Sequence, residues 1–476
     1  MRKLFFLLIT ITIFTNVLAH SPRPRYHIII DTDGATDDFR AISYLLSAND
    51  VRTLLIIGSS GSVDAQTSAQ KVYELLVACH NEGIEVGINN SLSIELPPWA
   101  NFCKNFAWAD AQQNQQFADY LQLLYRILNS YKNKITLIAL GSLNSYANFI
   151  RQFPELKSKI EKIIWYNDKI TKNGFNYQID TKSYDFIVES GIPLTIVSNE
   201  RNDLVYNEEL AIQIKEAKTI YAHQIFEYHQ KSNFANNHNS LILWDDLVAL
   251  YIANPMIFDI ETPKNITYAS IQKNIPFGII AESFKDILNS SYNPNNRAFL
   301  TFPTDTSLYI SSVAQKVNKI VEKYGIIEWK AVVMTNEVHG HTGVYSIVGA
   351  KMGIRALEYF NVGVNNLEVT TFAGKMPPLS CFNDGIQTAT GSTVGQGLLT
   401  VADSVVANPT AIFEFNGQKV KMQLKPDITA YIEKQVAYAY ETWGLASPLY
   451  WLYIEKIAYQ IWFNYSRYEM FEIKKL

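Results

Sequence analysis

The sequence predicts an α/β protein, a mainly parallel sheet with helices on both faces, followed by a smaller α+β domain. Three observations predict it. From Tyr26 to about Ser198, short apolar runs alternate with stretches whose apolar residues recur at helical spacing, the pattern of repeated strand–helix–strand units. The first apolar run, His27 to Ile30, stops in DTDGATDD, so carboxylates sit where a buried strand ends. After Lys323 the character changes, and hairpin-like strands appear around AIFEFNGQKVKMQL.

Each element follows in order. DDFRAISYLLSA carries Phe39, Ile42, Leu45 and Leu46 at helical spacing and predicts a helix directly after the acidic loop. VRTLLIIGSSGS (Val51 to Ser62) predicts the second strand, Ala65 to Glu82 a helix, and IEVGIN a short third strand. Asn90 to Asp110, with Pro97, Pro98, Trp99 and Trp108, reads as loop. Phe117 to Tyr131 predicts a helix, and Ile135 to Ser145 a strand ending in a tight turn. KIIWYNDK and Pro193 to Asn199 predict further strands. Glu328 onward reads as a strand-like start, a His-Gly-His loop and a helix. Leu367 to Phe372 predicts a strand, and the tail from Ile428 predicts a pair of helices packed on a domain or on a second copy of the chain.

Composition bounds the function. The 476 residues are 48% hydrophobic and 18% charged, enough for two or three domains with large cores. A net charge of −4 argues against nonspecific nucleic-acid binding, which needs a basic face. Arg2 and Lys3 precede an apolar run from Leu4 to Phe14 and a small Ala19, the layout of a secretory signal peptide over residues 1–19. The expected location is therefore secreted or periplasmic, with no later stretch apolar enough to span a membrane. Three cysteines, Cys79, Cys103 and Cys381, imply no full disulfide framework, although a Cys79–Cys103 bridge is compatible with an oxidising compartment.

The acidic loop is the chemical centre. Asp31, Asp33, Asp37 and Asp38 lie within eight residues, at the strand end where open α/β sheets bind ligands. Like charges that close raise one another's pKa unless they are neutralised. A hard divalent cation with oxygen ligands neutralises them. The bland alternative is an Asx-rich turn with one aspartate capping the helix.

DTDGATDD resembles the DxDxxxDD opening of the inosine-uridine type nucleoside hydrolases. GSLNS at Gly141 to Ser145 resembles that family's GPLTN turn. Asn173 to Ser198 is similar to its AEFN segment, and LWDDLVALYIANPMIF at Leu243 to Phe258 to its HD-x-x-A-V helix. The four segments stand in the family's order over about residues 25–324. The resemblance implies a domain at 24–324 that hydrolyses the N-glycosidic bond of a ribonucleoside with Ca2+. It implies that Asp33, Asp38, Asp245 and the main-chain carbonyl of Asn144 hold the ion. Asp33 is then also the general base, Asp37 and Asn176 hold the sugar, and Asp31 supports the loop. Asp168 stands about where a sugar-binding Asn is expected, Ser59 near another sugar contact, and Gly174 in the place of a ribose-binding Glu. Trp244, before Asp245, resembles the purine-preferring branch, in which aromatic rings sandwich the base; Trp99 or Trp108 would supply the second face. His223, His229 and His238 read as surface residues.

HGH at His339 to His341 with the following GIRALEYF, and CFNDGIQTATGSTVGQGLL from Cys381, resemble the FmdE-like family over about residues 329–424. That resemblance implies a second domain at 326–476 with a Zn2+ site from His339, His341 and Cys381, Asp384 nearby. Two other functions compete with nucleoside hydrolysis. A domain that keeps the calcium loop but has lost sugar contacts would bind a nucleoside or sugar without turnover. DTDGA also resembles the DxDx[TV] opening of haloacid-dehalogenase phosphatases, but Ala35 stands where Thr or Val is needed.

Overall fold

The computed structural model describes residues 24–108, 115–167, 174–231, 241–289, 299, 301–403 and 406–476. The expected signal peptide, Asp168 and His238 lie outside them. Nine strands form the first sheet: β1 (Tyr26–Thr32), β2 (Val51–Ser59), β3 (Glu85–Asn89), β4 (Ala118–Asp119), β5 (Ile135–Ala139), β6 (Ile160–Tyr166), β7 (Leu194–Ser198), β8 (Phe258–Glu261) and β9 (Ile266–Ile271). Their order is β4-β3-β2-β1-β5-β6-β7-β9-β8. All neighbours are parallel except β8 and β9.

The alternation of Ile28, Ile29 and Ile30 shows why β1 is central. Ile28 and Ile30 enter one core and Ile29 the other. A strand buried on both faces must be apolar at every position. Helices α1 (Thr36–Ser47) and α2 (Ala65–Ala78) cover the first face; α3 (Ala100–Asn105) lies in the loop after β3; α4 (Tyr120–Ser130), α5 (Asn144–Gln152), α6 (Phe175–Ile179) and α7 (Thr181–Ser190) follow. Tyr120, Leu124, Tyr146, Phe149 and Ile187 from α4, α5 and α7 fill the second face. The chain builds outward from β1 to β4, then returns to β5 on the other side of β1. Between β1 and β5 the loops diverge, which opens the crevice where such sheets bind ligands.

A second sheet orders β10 (Glu368–Thr371), β11 (Leu399–Val401), β12 (Thr410–Phe415), β13 (Gln418–Leu424) and β14 (Phe471–Lys475) as β11-β10-β12-β13-β14. It is antiparallel except for β10 with β11. The strand-like start expected at Glu328 is helix instead. Val317–His339 is helical apart from a kink at Gly325. Trp329 and Val332, three residues apart, are both fully buried, and that spacing outweighs the β-propensity of the valines. Phe302, Val317, Ile320 and Tyr324, which precede the expected boundary, pack into this second core. The helices Pro426–Trp443 and Pro448–Asn464 form the expected tail pair. All three cysteines are free thiols, with Cys79 and Cys103 buried. Among the described residues no helix is long and apolar enough to cross a membrane.

Candidate active site

The carboxyl ends of β1, β2 and β5 build one site. Asp33 follows β1, and its carboxylate accepts from the hydroxyl and the backbone N–H of Ser62, beyond β2. Two glycines make room for it. A Cβ on Gly61 would fall 2.2 Å from Asp33 Oδ2, and one on Gly141 would fall 2.8 Å from Asp33 Cβ. Burial, then the charge of Asp37, pushes the Asp33 carboxyl up to about 7.

Asp37 and Asp38 lie in the first turn of α1, where the helix dipole favours negative charge. Oδ2 of Asp38 accepts from Thr32 Oγ1 at 2.5 Å, Asp33 N at 3.1 Å and Gly34 N at 3.2 Å. Asp245 stands 208 positions along the chain from Asp37, just before the helix Asp246–Ala253, and its carboxylate does not cap that helix. Its N–H approaches Asp37 Oδ2 at 3.4 Å. Oxygens of Asp37, Asp38 and Asp245 lie within 4.8 Å of one another, and among the described residues this is the group of three that could hold a metal ion. Asp33 stands beside that group rather than in it. Oδ1 of Asp38 and Oδ1 of Asp245 are buried and accept no hydrogen bond. Burial, then neighbouring carboxylates, holds both groups well above the usual carboxylate range. Buried acceptors without donors, all of them oxygen, fit a hard divalent cation.

A buried ion pair draws these elements together, and sequence reasoning missed it. Arg40, half a turn beyond Asp38, donates to both oxygens of Asp246 at 2.8 Å. Both side chains are fully buried. Arg40 also donates to Ile242 O and faces His229 Nε2 at 3.4 Å. The signal was present: a second aspartate opening the apolar helix DLVALYIA needs a buried cation. His229, expected at the surface, is buried in this network and stacks on Tyr206 at 4.1 Å. His223 is exposed as expected.

The other expected residues fall into place differently. Ser59 and Ser145 donate to the two oxygens of Asp31, at 2.8 and 2.5 Å, so Asp31 is a buttress of the loop. Asn144 opens α5; its side chain is occupied by Asn89, Ser91, Asn148 and Asp180, so it is not a free ligand, and its main-chain N–H donates to Ser142 Oγ at 3.4 Å. Asn176 spends both amide hydrogens on the carbonyls of Leu140 and Tyr166, at 2.7 and 3.1 Å, so only its side-chain oxygen is left to meet a ligand. Gly174 is sterically committed, since a Cβ there would lie 2.1 Å from Asn167 Oδ1. That oxygen accepts from Tyr177 N and caps α6 in place of a side chain at 174.

The two loop tryptophans separate. Trp108 is 2% exposed and packs on Phe39, Phe106 and His229. Trp99 is 40% exposed, donates to Ser62 Oγ at 3.2 Å and sits edge-on to Phe175. Since Ser62 holds Asp33, Trp99 stands at the mouth of the acidic site. Trp244 is half-buried, tilted against Tyr166 at 6.3 Å.

In the C-terminal half, His339 Nδ1 pairs with Asp384 Oδ2 at 3.0 Å, and His341 lies ring to ring with His339 at 4.3 Å. The orientation by a carboxylate and the unbonded, buried Nε2 of His339 suit a metal ligand. Cys381, however, does not join the two histidines as a group of three within ligand reach. The residues supply two imidazoles without a closed ligand set, and no chemistry is derived from a metal there.

Comparison with known proteins agrees with this architecture. The family model described as inosine-uridine preferring nucleoside hydrolase matches residues 28–309. A second model, FmdE of the molybdenum formylmethanofuran dehydrogenase operon, matches residues 338–444. The pyrimidine-specific ribonucleoside hydrolase RihA of Shewanella baltica is 24% identical over 183 residues, which is 36% of this chain. The chain spans 58% of the length of that curated relative. Among solved structures, a purine-preferring ribonucleoside hydrolase from Gardnerella vaginalis has a TM-score of 0.46 at 16% identity, covering 56% of this chain and 99% of its own. An inosine-uridine preferring nucleoside hydrolase from Bacillus anthracis has a TM-score of 0.44 at 15% identity, covering 56% of this chain and 99% of its own. The family match covers more than half of the chain, in the segment that builds the acidic crevice: the chain belongs to the inosine-uridine preferring nucleoside hydrolase family, with an FmdE family segment after it.

Proposed function

We propose that the protein hydrolyses the N-glycosidic bond of ribonucleosides in a calcium-dependent reaction, giving ribose and free base, with purines preferred. The observation that carries the reading is the meeting of Asp37, Asp38 and Asp245, with two buried carboxylate oxygens left without donors, at the switch point of the sheet. Asp38 and Asp245 would hold the ion with Asp37 within reach of both, and Asp33, beside them, and the Asn144 carbonyl are the further ligands that the family resemblance implies. When bound, calcium supplies an oriented water of lowered pKa. Asp33, held at the end of β1 by Ser62, would accept the proton of the attacking water. Asp37 and the side-chain oxygen of Asn176 accept from sugar hydroxyls, with Asp168 assigned to the same task. The ring of carboxylates favours the positive charge that develops on the sugar as the bond to the base breaks.

Base preference rests on this chain's own rings, because the relatives named above divide between pyrimidine and purine. Trp244, next to Asp245, and Trp99, bonded to the Ser62 that holds Asp33, would offer flat apolar surface to the base, and a purine covers more of it than a pyrimidine. A leader at residues 1–19 would place this activity in the periplasm or outside the cell.

A second reading has one observation behind it. Gly174 leaves no side chain toward the sugar, and Asn167 fills the space. A nucleoside-binding protein without turnover would look the same there. Incubation with inosine, adenosine or uridine, in calcium or in chelator, with chromatography of free base, separates the two. Hydrolysis is expected in calcium only, and Asp33→Ala should lower it by about 10²–10⁴-fold, the usual weight of a general base. Nucleoside binding without any base release would establish the second reading.

A further inference from the structure

The C-terminal domain grips the first sheet at the edge opposite the acidic crevice. The loop between α2 and β3 is the main handhold. Gly83 N donates to Tyr359 O at 2.8 Å, and Asn81 Nδ2 to Glu358 O at 2.8 Å. Arg355 donates to both oxygens of Glu82, at 2.7 and 2.9 Å, and to His80 O. The fit depends on a missing side chain, since a Cβ on Gly83 would meet Tyr359 O at 2.7 Å. Glu358 is in turn fixed by Arg467. A separate bond, Asn361 Nδ2 to Leu46 O at 3.0 Å, holds the carboxyl-terminal turn of α1.

Both gripped elements end in the site. β3 runs from this handhold directly to Asn89, about 20 Å away at ~3.3 Å per residue. Asn89 is buried, and its amide donates to Asn144 Oδ1 at 3.1 Å and to Ser145 Oγ at 2.7 Å. Ser145 Oγ then donates to Asp31 at 2.5 Å. The other gripped helix, α1, carries Asp37 and Asp38 in its first turn. On its outer side β3 has only the two-residue β4 for a neighbour, so its amino end depends on the C-terminal domain to stay seated.

We propose that the C-terminal domain is a positioning element of the active site: by clasping residues 80–83 and the end of α1 it holds Asn89, and through Asn89 the Asn144 main chain and Asp31, in place for the cation. Asn89 is a positioning residue, acting through Asn144 and Ser145. The cation part of this proposal rests on the calcium reading above; the mechanical part does not.

The test uses full-length protein. Gly83→Ala wedges the clasp open and Arg355→Met removes its ion pair. Each is compared with Val332→Ala, which weakens the C-terminal core away from the clasp. Calcium titration by calorimetry and hydrogen exchange of segments 86–91 and 143–148 are measured well below the melting temperature. Both clasp variants should bind calcium at least about fivefold more weakly, the lower end of the usual coupling between sites. They should also exchange faster in both segments, while Val332→Ala leaves both properties unchanged. If unaltered protein takes up no calcium, the calcium reading is what fails, and exchange alone decides the mechanical proposal. Unchanged exchange at 86–91 and 143–148 in the clasp variants overturns it, as does an equal effect of Val332→Ala. If Gly83→Ala does not fold, Arg355→Met carries the same comparison.

Discussion

Asp245→Asn should make the calcium-free protein more stable and the calcium-loaded protein no different from it. Four buried carboxylates, Asp33, Asp37, Asp38 and Asp245, share this crevice. Asp245 has a folded-state pKa held well above its ordinary value by burial and by Asp38. The folded state therefore holds a proton that the unfolded chain releases. Such a group contributes stability below about pH 4 and loses it as pH rises. An asparagine has no charge to lose, and its amide can donate to the unbonded Asp38 Oδ1. In chelator at pH 7 the variant should melt above the parent, and the two should converge as pH falls toward 4. Calcium, bound as proposed, should reverse the order. At a hundred times its Kd it stabilises the parent by about 2.7 kcal/mol. For a chain of this size each kcal/mol moves the melting temperature by roughly 1 °C. The parent should gain about 3 °C and the variant almost nothing. Differential scanning calorimetry at pH 7 and pH 4, in calcium and in chelator, reads all of this. A variant that melts below the parent in chelator at pH 7, or that keeps the calcium shift, would refute the reasoning.

Other outcomes follow from the same geometry. Arg40→Met leaves Asp246 charged and alone in the core and should cost about 3–5 kcal/mol, whereas the double change with Asp246→Leu should recover most of it; denaturant melts measure both. Trp99→Ala should lower kcat/KM for a purine nucleoside by about 5- to 150-fold, matching ~1–3 kcal/mol of base stacking, and leave the melting temperature near that of the parent. Trp108→Ala, in the core, should do the reverse, costing about 3–5 kcal/mol of stability. His80 is held down to about 4 by burial and by Arg355, so the unfolded chain takes up its proton first as pH falls. Stability should decline from about pH 6.5 to 4, and His80→Asn should decline less; the difference between the two melting profiles is the readout.

The parallel sheet was legible because strands buried on both faces are written as unbroken apolar runs, as in Ile28 to Ile30. The acidic crevice was legible because Asp33, Asp37 and Asp38 stand within six residues of one another at the end of a buried strand, where open sheets bind ligands. What the sequence hid was long-range pairing. Asp246 at the head of an apolar helix calls for a buried cation, but nothing local names Arg40, one of several polar residues of α1, as that cation. Glu328 to Val338 reads as a strand start because valines favour strands; the buried spacing of Trp329 and Val332 decides for helix. Gly174 looks like a missing ligand in the sequence; its meaning is Asn167, whose side chain needs the room.

The glycine walls at 61 and 141 carry a consequence for Asp33. A carboxylate that swings freely must be stilled at every turnover, and that ordering adds to the barrier. Here two backbones from different strand ends press on the side chain, and Ser62 fixes its oxygens. The ordering is completed when the chain folds. For Asp33 acting as the proposed base, two positions that contribute no functional group would therefore bear on the rate, because a side chain at either would displace the carboxylate.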